Sequence, residues 1–183
     1  MSPSLDTAAT LDLALLGLTR HKAEPLTVLC RDVRTLVAPW LTPTGEVVTG
    51  RMERLVERGL VETVPHLRRD PALRCSEAGA LAFGELMRRP LSTASVTSAQ
   101  AGEAVKLACL HLLDPPCRLV VAADLSAARR SSRAELGRQL AEQDGTSSVL
   151  ARSLEHRLHL LEIAEEAMRV LLPPPDGMVC AAA

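Results

Sequence analysis

From Thr42 to Leu86 the chain sets helix caps, glycines and prolines against apolar periodicity in an order that leaves few folds open. Thr42-Pro43 offers an N-cap followed by proline at a first helical position. Behind it Val48, Met52, Leu55 and Val56 repeat at helical spacing, and Gly59 stands where a helix ends in a left-handed residue. Val61, Thr63 and Val64 have strand character, Pro65 and Pro71 bracket a tip that carries Arg68 and Arg69, and Leu73 and Cys75 alternate with Arg74 on a return strand. Ser76 then caps a helix bearing Leu81, Phe83 and Leu86. A groove-sized helix, an arginine-tipped hairpin and a closing helix, in that order, describe a winged helix-turn-helix.

The flanking segments are helical. Leu11, Ala14, Leu15 and Leu18 form a stripe, and Leu13 and Leu16 make that helix apolar almost all round, the mark of an element buried on several sides. A second helix begins near Pro25, carries Leu26, Leu29, Val33 and Val37 inward with Arg31, Asp32 and Arg34 on its other face, and stops at Pro39. A linker rich in Ser, Thr and Ala spans 88–100. Beyond it lie an apolar helix over 102–113, a break at Pro115-Pro116, a helix over about 117–143, and a last helix over 147–172, roughly 39 Å long. Leu150, Leu154, Leu158, Leu161 and Met168 make one stripe on that last helix, and a second copy of the chain is the expected cover for part of it. The expected fold is therefore mainly α: a winged-helix domain with a small β-hairpin wing over 8–90, a helical dimerisation domain over 100–172, and a disordered tail over 173–183.

Composition narrows the chemistry. One Trp, one Phe and no Tyr leave the core to Leu, Val, Ala and Met. The net charge is −1, with +1 on residues 1–91 and −2 on 92–183, so attraction to a polyanion has to be local. No apolar run reaches the roughly 20 residues of a membrane span, and the N-terminus lacks a signal-peptide pattern. Cys30, Cys75, Cys109, Cys117 and Cys180 never form CxxC; they suit reduced thiols of a bacterial-type cytoplasm, buried as small apolar groups, with a redox pairing of Cys109 and Cys117 as the lesser reading. His156 and His159 at i, i+3 are a solvated helical pair before they are a metal site. With no phosphate-binding glycine loop and no nucleophile elbow, the sequence points away from an enzyme, and no cofactor or metal is expected.

The order of elements, LDLALLGL at the first helix, Arg54-Leu55 through Gly59-Leu60-Val61, and Leu73-Arg74-Cys75-Ser76-Glu77-Ala78-Gly79 resemble the PadR family of winged-helix transcriptional regulators, over nearly the whole of 11–172. The last of these stands where the family has tyrosine-x-leucine-threonine-x-x-glycine, with Leu73 in place of the tyrosine. Thr49 occupies the position of the recognition-helix tyrosine, and Gly45 falls one residue early. The MarR family shares several of these pieces and is the second choice.

The resemblance implies a homodimeric, cytoplasmic DNA-binding regulator, in the usual case a repressor, that reads a palindromic operator and is released by a small hydrophobic effector. Thr42, Thr44, Thr49, Arg51 and Arg54 on the recognition helix, with Arg68, Arg69 and Arg74 on the wing, are the candidate DNA contacts. Trp40 is the candidate effector contact, with the expected seat between it, the first helix and the C-terminal helices. Glu46 and Glu53 weigh against this, because carboxylates repel phosphates. With the neutral pI and the missing tyrosines, they support the alternative of a winged-helix protein-interaction module without sequence-specific DNA binding.

Overall fold

The computed structural model describes residues 3–38, 40–65, 71–142 and 149–171. In chain order they form α1 (Thr7–His21), β1 (Glu24–Pro25), α2 (Leu26–Val37), α3 (Gly45–Glu57), β2 (Val61–Val64), β3 (Ala72–Cys75), α4 (Glu77–Arg88), α5 (Val96–Cys109), a 3-10 turn (Leu110–Leu112), α6 (Pro115–Ala141) and α7 (Val149–Leu171). Helix–strand–helix–helix followed by a two-strand wing and a helix is the winged helix-turn-helix expected from the sequence. The chain divides into two compact units, Met1–Val121 and Ala122–Ala183.

Helix α1 is the centre of the first unit. Leu11, Leu13, Ala14, Leu15 and Leu16 are all buried, so the helix has no solvent face through its middle turns. It packs against α2, α3, α4, α5 and β3. Asp6 caps its start by accepting from Ala9 N at 2.7 Å, which makes the helix one turn longer at each end than its apolar stripe suggests. Phe83 and Met87 of α4 and Met52 of α3 complete the core with side chains 0–2% exposed.

The sheet has strand order β1-β3-β2, all antiparallel. In the hairpin, Glu62 faces Arg74 and Val64 faces Ala72. The third strand, Glu24–Pro25, lay outside the sequence expectation because two residues, one of them proline, show no alternation; an edge position tolerates the missing N–H.

Helix α3 ends in a Schellman motif: Gly59 has φ +69°, its N–H donates to Val56 O at 2.9 Å, and Leu60 N donates to Leu55 O at 2.9 Å. Ser76 fastens this end to α4, donating from Oγ to Gly59 O at 2.7 Å and accepting from Gly79 N at 3.0 Å. The N-cap of α3 is Thr44, whose Oγ1 accepts from Val47 N at 3.3 Å, two residues later than the Thr42-Pro43 signal indicated. Both threonines have the chemistry of a cap, and local sequence does not choose between them.

Helix α5 belongs to the first unit. Leu5 bridges Leu91 in parallel and donates from its N–H to Pro90 O at 2.8 Å, Thr7 and Ser98 share a 2.7 Å hydrogen bond, and Ser95 caps α5. Within the Ser/Thr/Ala-rich stretch read as a linker over 88–100, residues 89–94 connect α4 to α5, Ser95 is the cap and 96–100 begin α5, and the division between units falls after Val121. Pro115 and Pro116 open α6 rather than only ending the helix before it: first-turn positions need no N–H donor, and Asp114 accepts from Cys117 N at 2.9 Å.

In the second unit, Leu125, Leu136 and Leu154 are buried and Arg133 Nη2 lies 3.2 Å from Glu162 Oε1. The expected tail, 173–183, lies outside the described residues. Among the described residues no helix is long and apolar enough to cross a membrane.

Gly79 provides a test of this packing. A Cβ there would overlap the Leu60 carbonyl oxygen, which is backbone already engaged by Ser76 N, and would lie 2.8 Å from Cys75 Sγ. Gly79→Ala is expected to lower stability by about 3 kcal/mol in urea denaturation. An unchanged midpoint would show that α4 does not meet the Leu60 turn this closely.

Candidate nucleic-acid interface

The inward side of α3 is set by Val48, Met52 and Leu55, each at most 2% exposed. Helical geometry then turns Glu46, Val47, Glu53, Arg54 and Glu57 outward, and all five are exposed. Gly50 lies between them with nothing within 4 Å of where its Cβ would stand. No packing inside the first unit requires glycine at this position, although it costs an interior helix turn about 1 kcal/mol against alanine.

The expected DNA contacts divide by environment. Arg54 is exposed, with no intramolecular ion pair among the described residues, and Thr42 is exposed at the approach to the helix. Thr44 spends its hydroxyl on the cap. Thr49 is half-buried, with its Oγ1 3.9 Å from Cys30 Sγ of α2. Arg74 lies on the outer face of β3, bound from Nε (2.9 Å) and Nη2 (2.7 Å) to Glu62 Oε1; both side chains are about half exposed, so the pair is weak and a stronger anion can displace it. Arg68 and Arg69 lie outside the described residues.

Arg51 is placed differently from the expectation. It turns inward, its Nε donating to Asp12 Oδ1 at 2.7 Å and its Nη2 to Asp12 Oδ2, with side-chain exposures of 19% and 9%. Its charge is neutralised inside the domain and does not face outward beside Arg54. Sequence reading passed over Asp12 as a site residue, yet it left a signal: a carboxylate in the middle of a helix apolar all round has to find a cation or hydrogen-bond donors. Arg34, exposed in the last turn of α2, is a further cation that the candidate set omitted.

Trp40 is half-buried in the turn between α2 and α3, its backbone N–H donating to Val37 O at 3.1 Å. It does not line the apolar cleft of the first unit. That cleft, about 280 Å³, lies between α1, α2, α5 and the 3-10 turn and is lined by Leu18, His21, Leu36, Ala108, Cys109 and Leu112 among others. His21 and His111 stand edge to face on it, with ring centroids 5.8 Å apart. Burial pushes the Cys109 thiol up to about 12, so it sits in the wall as a protonated, unreactive group.

Of the expected dimer contacts, Leu154 is buried within the single chain at 4% exposure, and Leu158 and Leu161 are half-buried. Leu150 and Met168 are on α7, but their side chains lie outside the description. Among the described side chains of α7, the exposed large apolar ones are Val149, Leu160 and Ile163, spaced to share a face opposite that stripe.

No protein-family model matches the chain, and no curated protein does. Among solved structures it is similar to Bacillus subtilis PadR in complex with p-coumaric acid, at 12% identity over 91% of this chain and 95% of that one, with a TM-score of 0.42. The same regulator in complex with operator DNA gives 13% identity over 88% and 95%, with a TM-score of 0.41. The crystal structure of Bacillus subtilis PadR gives 12% over 93% and 96%, with a TM-score of 0.40.

Proposed function

We propose that the chain is a homodimeric, cytoplasmic DNA-binding transcriptional regulator, a repressor, with α3 as recognition helix and the β2–β3 hairpin as wing. The observation that carries this reading is the outer side of α3. Its residues Glu46, Val47, Glu53, Arg54 and Glu57 are exposed around a half-buried glycine that the interior does not need, and it is followed directly by the wing. A bare backbone at Gly50 lets another surface approach the helix axis, as a helix lying in a major groove requires. Arg54 and Thr42 contact base edges or phosphates, Thr44 and Thr49 stand by the helix start where its N–H groups favour a phosphate, and Arg74, Arg68 and Arg69 reach the backbone from the wing.

Gly50→Gln separates folding from binding. It is expected to leave the melting temperature equal or higher, since glutamine is the better helix former, and to weaken binding to a duplex from the chain's own promoter region at least tenfold in gel shifts. Unchanged binding would mean that this side of α3 does not meet DNA.

Dimerisation supplies two recognition helices about 34 Å apart for successive major grooves. The uncovered Leu160 and Ile163 support an interface on their own face of α7, turned away from the expected stripe of Leu150, Leu154, Leu158, Leu161 and Met168. Leu160→Asp with Ile163→Asp is expected to sediment as a monomer and to lose most DNA affinity; a dimer that survives would place the seam elsewhere.

Release by a small apolar effector fits the cleft between α1, α2 and α5, whose walls touch the helix preceding α3 in the helix-turn-helix. A compound that raises the melting temperature of the wild-type chain is expected to have no effect on Ala108→Trp, which fills the cleft. An equal shift in both would exclude it as the effector seat.

A second reading, a protein-interaction module, is favoured by charge. The outward residues Glu46, Glu53 and Glu57 outnumber Arg54 and Arg58 on and just beyond α3, and Val47 is 47% exposed. Weak, sequence-blind DNA binding by the wild-type chain would select it.

A further inference from the structure

We propose that Asp12 is a positioning residue for nucleic-acid binding: its two-pronged pair with Arg51 sets the rotation of α3 about its own axis, and with it which side chains face outward. The inference rests on the reading of α3 as the recognition helix. The surrounding contacts do not set that rotation by themselves. Helix α3 packs on α1, α2 and β2 through the buried apolar residues Val48, Met52 and Leu55, and apolar packing of this kind is weakly directional. The ion pair is directional. A guanidinium fork held at both prongs by a carboxylate on α1 admits one orientation of Arg51, and Gly50 and Arg54 follow as its neighbours on the same helix.

A buried pair of this sort adds little to stability compared with two well-packed apolar side chains, so a gain in specificity is the more economical reason for it. The pair lies in the wall of a cleft of about 240 Å³ whose other charged groups are Asp6, Arg58, Glu85 and Arg89. Asp6 is engaged in the α1 cap, and neither Arg58, Glu85 nor Arg89 forms an ion pair among the described residues. Of the three carboxylates lining this cleft, Asp12 is the one Arg51 binds.

Positioning and direct phosphate contact make opposite claims. Were Arg51 a phosphate contact, its loss would reduce the salt slope by about one, and removing the negative charge of Asp12 would strengthen binding. Positioning requires that removing either partner weakens specific binding at unchanged slope. The experiment measures fluorescence anisotropy of the full chain with a promoter-region duplex and a scrambled duplex across a salt series, for wild type, Asp12→Asn, Arg51→Lys and Asp12→Leu/Arg51→Met. Expected is a loss of about tenfold on the promoter duplex for all three variants, with affinity for the scrambled duplex within a factor of about two of wild type. The apolar double variant keeps the wild-type melting temperature, so that its loss of affinity cannot be laid to unfolding.

Three results would overturn the proposal: tighter promoter binding by Asp12→Asn, full affinity in Arg51→Lys, or wild-type discrimination between the duplexes in the apolar double variant. A wild-type chain that shows no salt-dependent binding and no preference for the promoter duplex overturns the reading of α3 itself, and the proposal with it.

Discussion

A helix with no polar side has to be enclosed, and the first 121 residues are arranged around that requirement. Leu11 through Leu16 are buried on every side of α1, Asp12 included, whose carboxylate is met by Arg51. Enclosing this helix takes α2, α3, α4, α5 and β3 together. Because α3 touches α1 with only one stripe, its other side is left to solvent. The exposure of the candidate interface is thus a consequence of what α1 needs. The Schellman turn at Gly59 and the Ser76 bridge then hold the wing strands at the end of the same helix, so the two projecting elements are tied to one frame.

The electrostatics of that surface are balanced rather than strongly basic. Arg51 is neutralised internally, Arg74 is shared with Glu62, and Glu46 and Glu53 stand among the outward groups of α3. With a formal net charge of −1, long-range steering contributes little. If the proposed function holds, affinity for DNA is supplied by short-range fit, for which Gly50, the wing cations and a second copy of the chain are the proposed sources. The same balance makes a protein partner the natural competitor to DNA for this surface.

Much of this was legible because it is local. Capping residues, the glycine after α3, the alternation of β3 and the apolar stripe of α1 all act within a few residues of themselves, and each stands where the sequence placed it within a turn. What was not legible is pairing at a distance. Asp12 and Arg51 are 39 positions apart, and nothing near Arg51 distinguishes it from Arg54, so both were assigned to the DNA side although only one faces outward. The two-residue β1 has no periodicity to detect. The Ser/Thr/Ala composition of 88–100 suggested a linker because caps and linkers use the same residues. On α7 an apolar stripe announces that something covers it; for Leu154 the cover lies within the chain, and only coordinates separate that case from a partner.

The most direct test is an NMR titration of the isotope-labelled chain with a duplex from its own promoter region, followed through backbone amides. The expected result is a set of shifts concentrated on Glu46, Val47, Gly50, Glu53 and Arg54 and on the wing strands, with Leu13, Ala14 and Leu15 of α1 unmoved. Shifts confined to other surfaces, or none at a DNA concentration well above that of the protein, would contradict the assignment of α3 as the element that enters the groove.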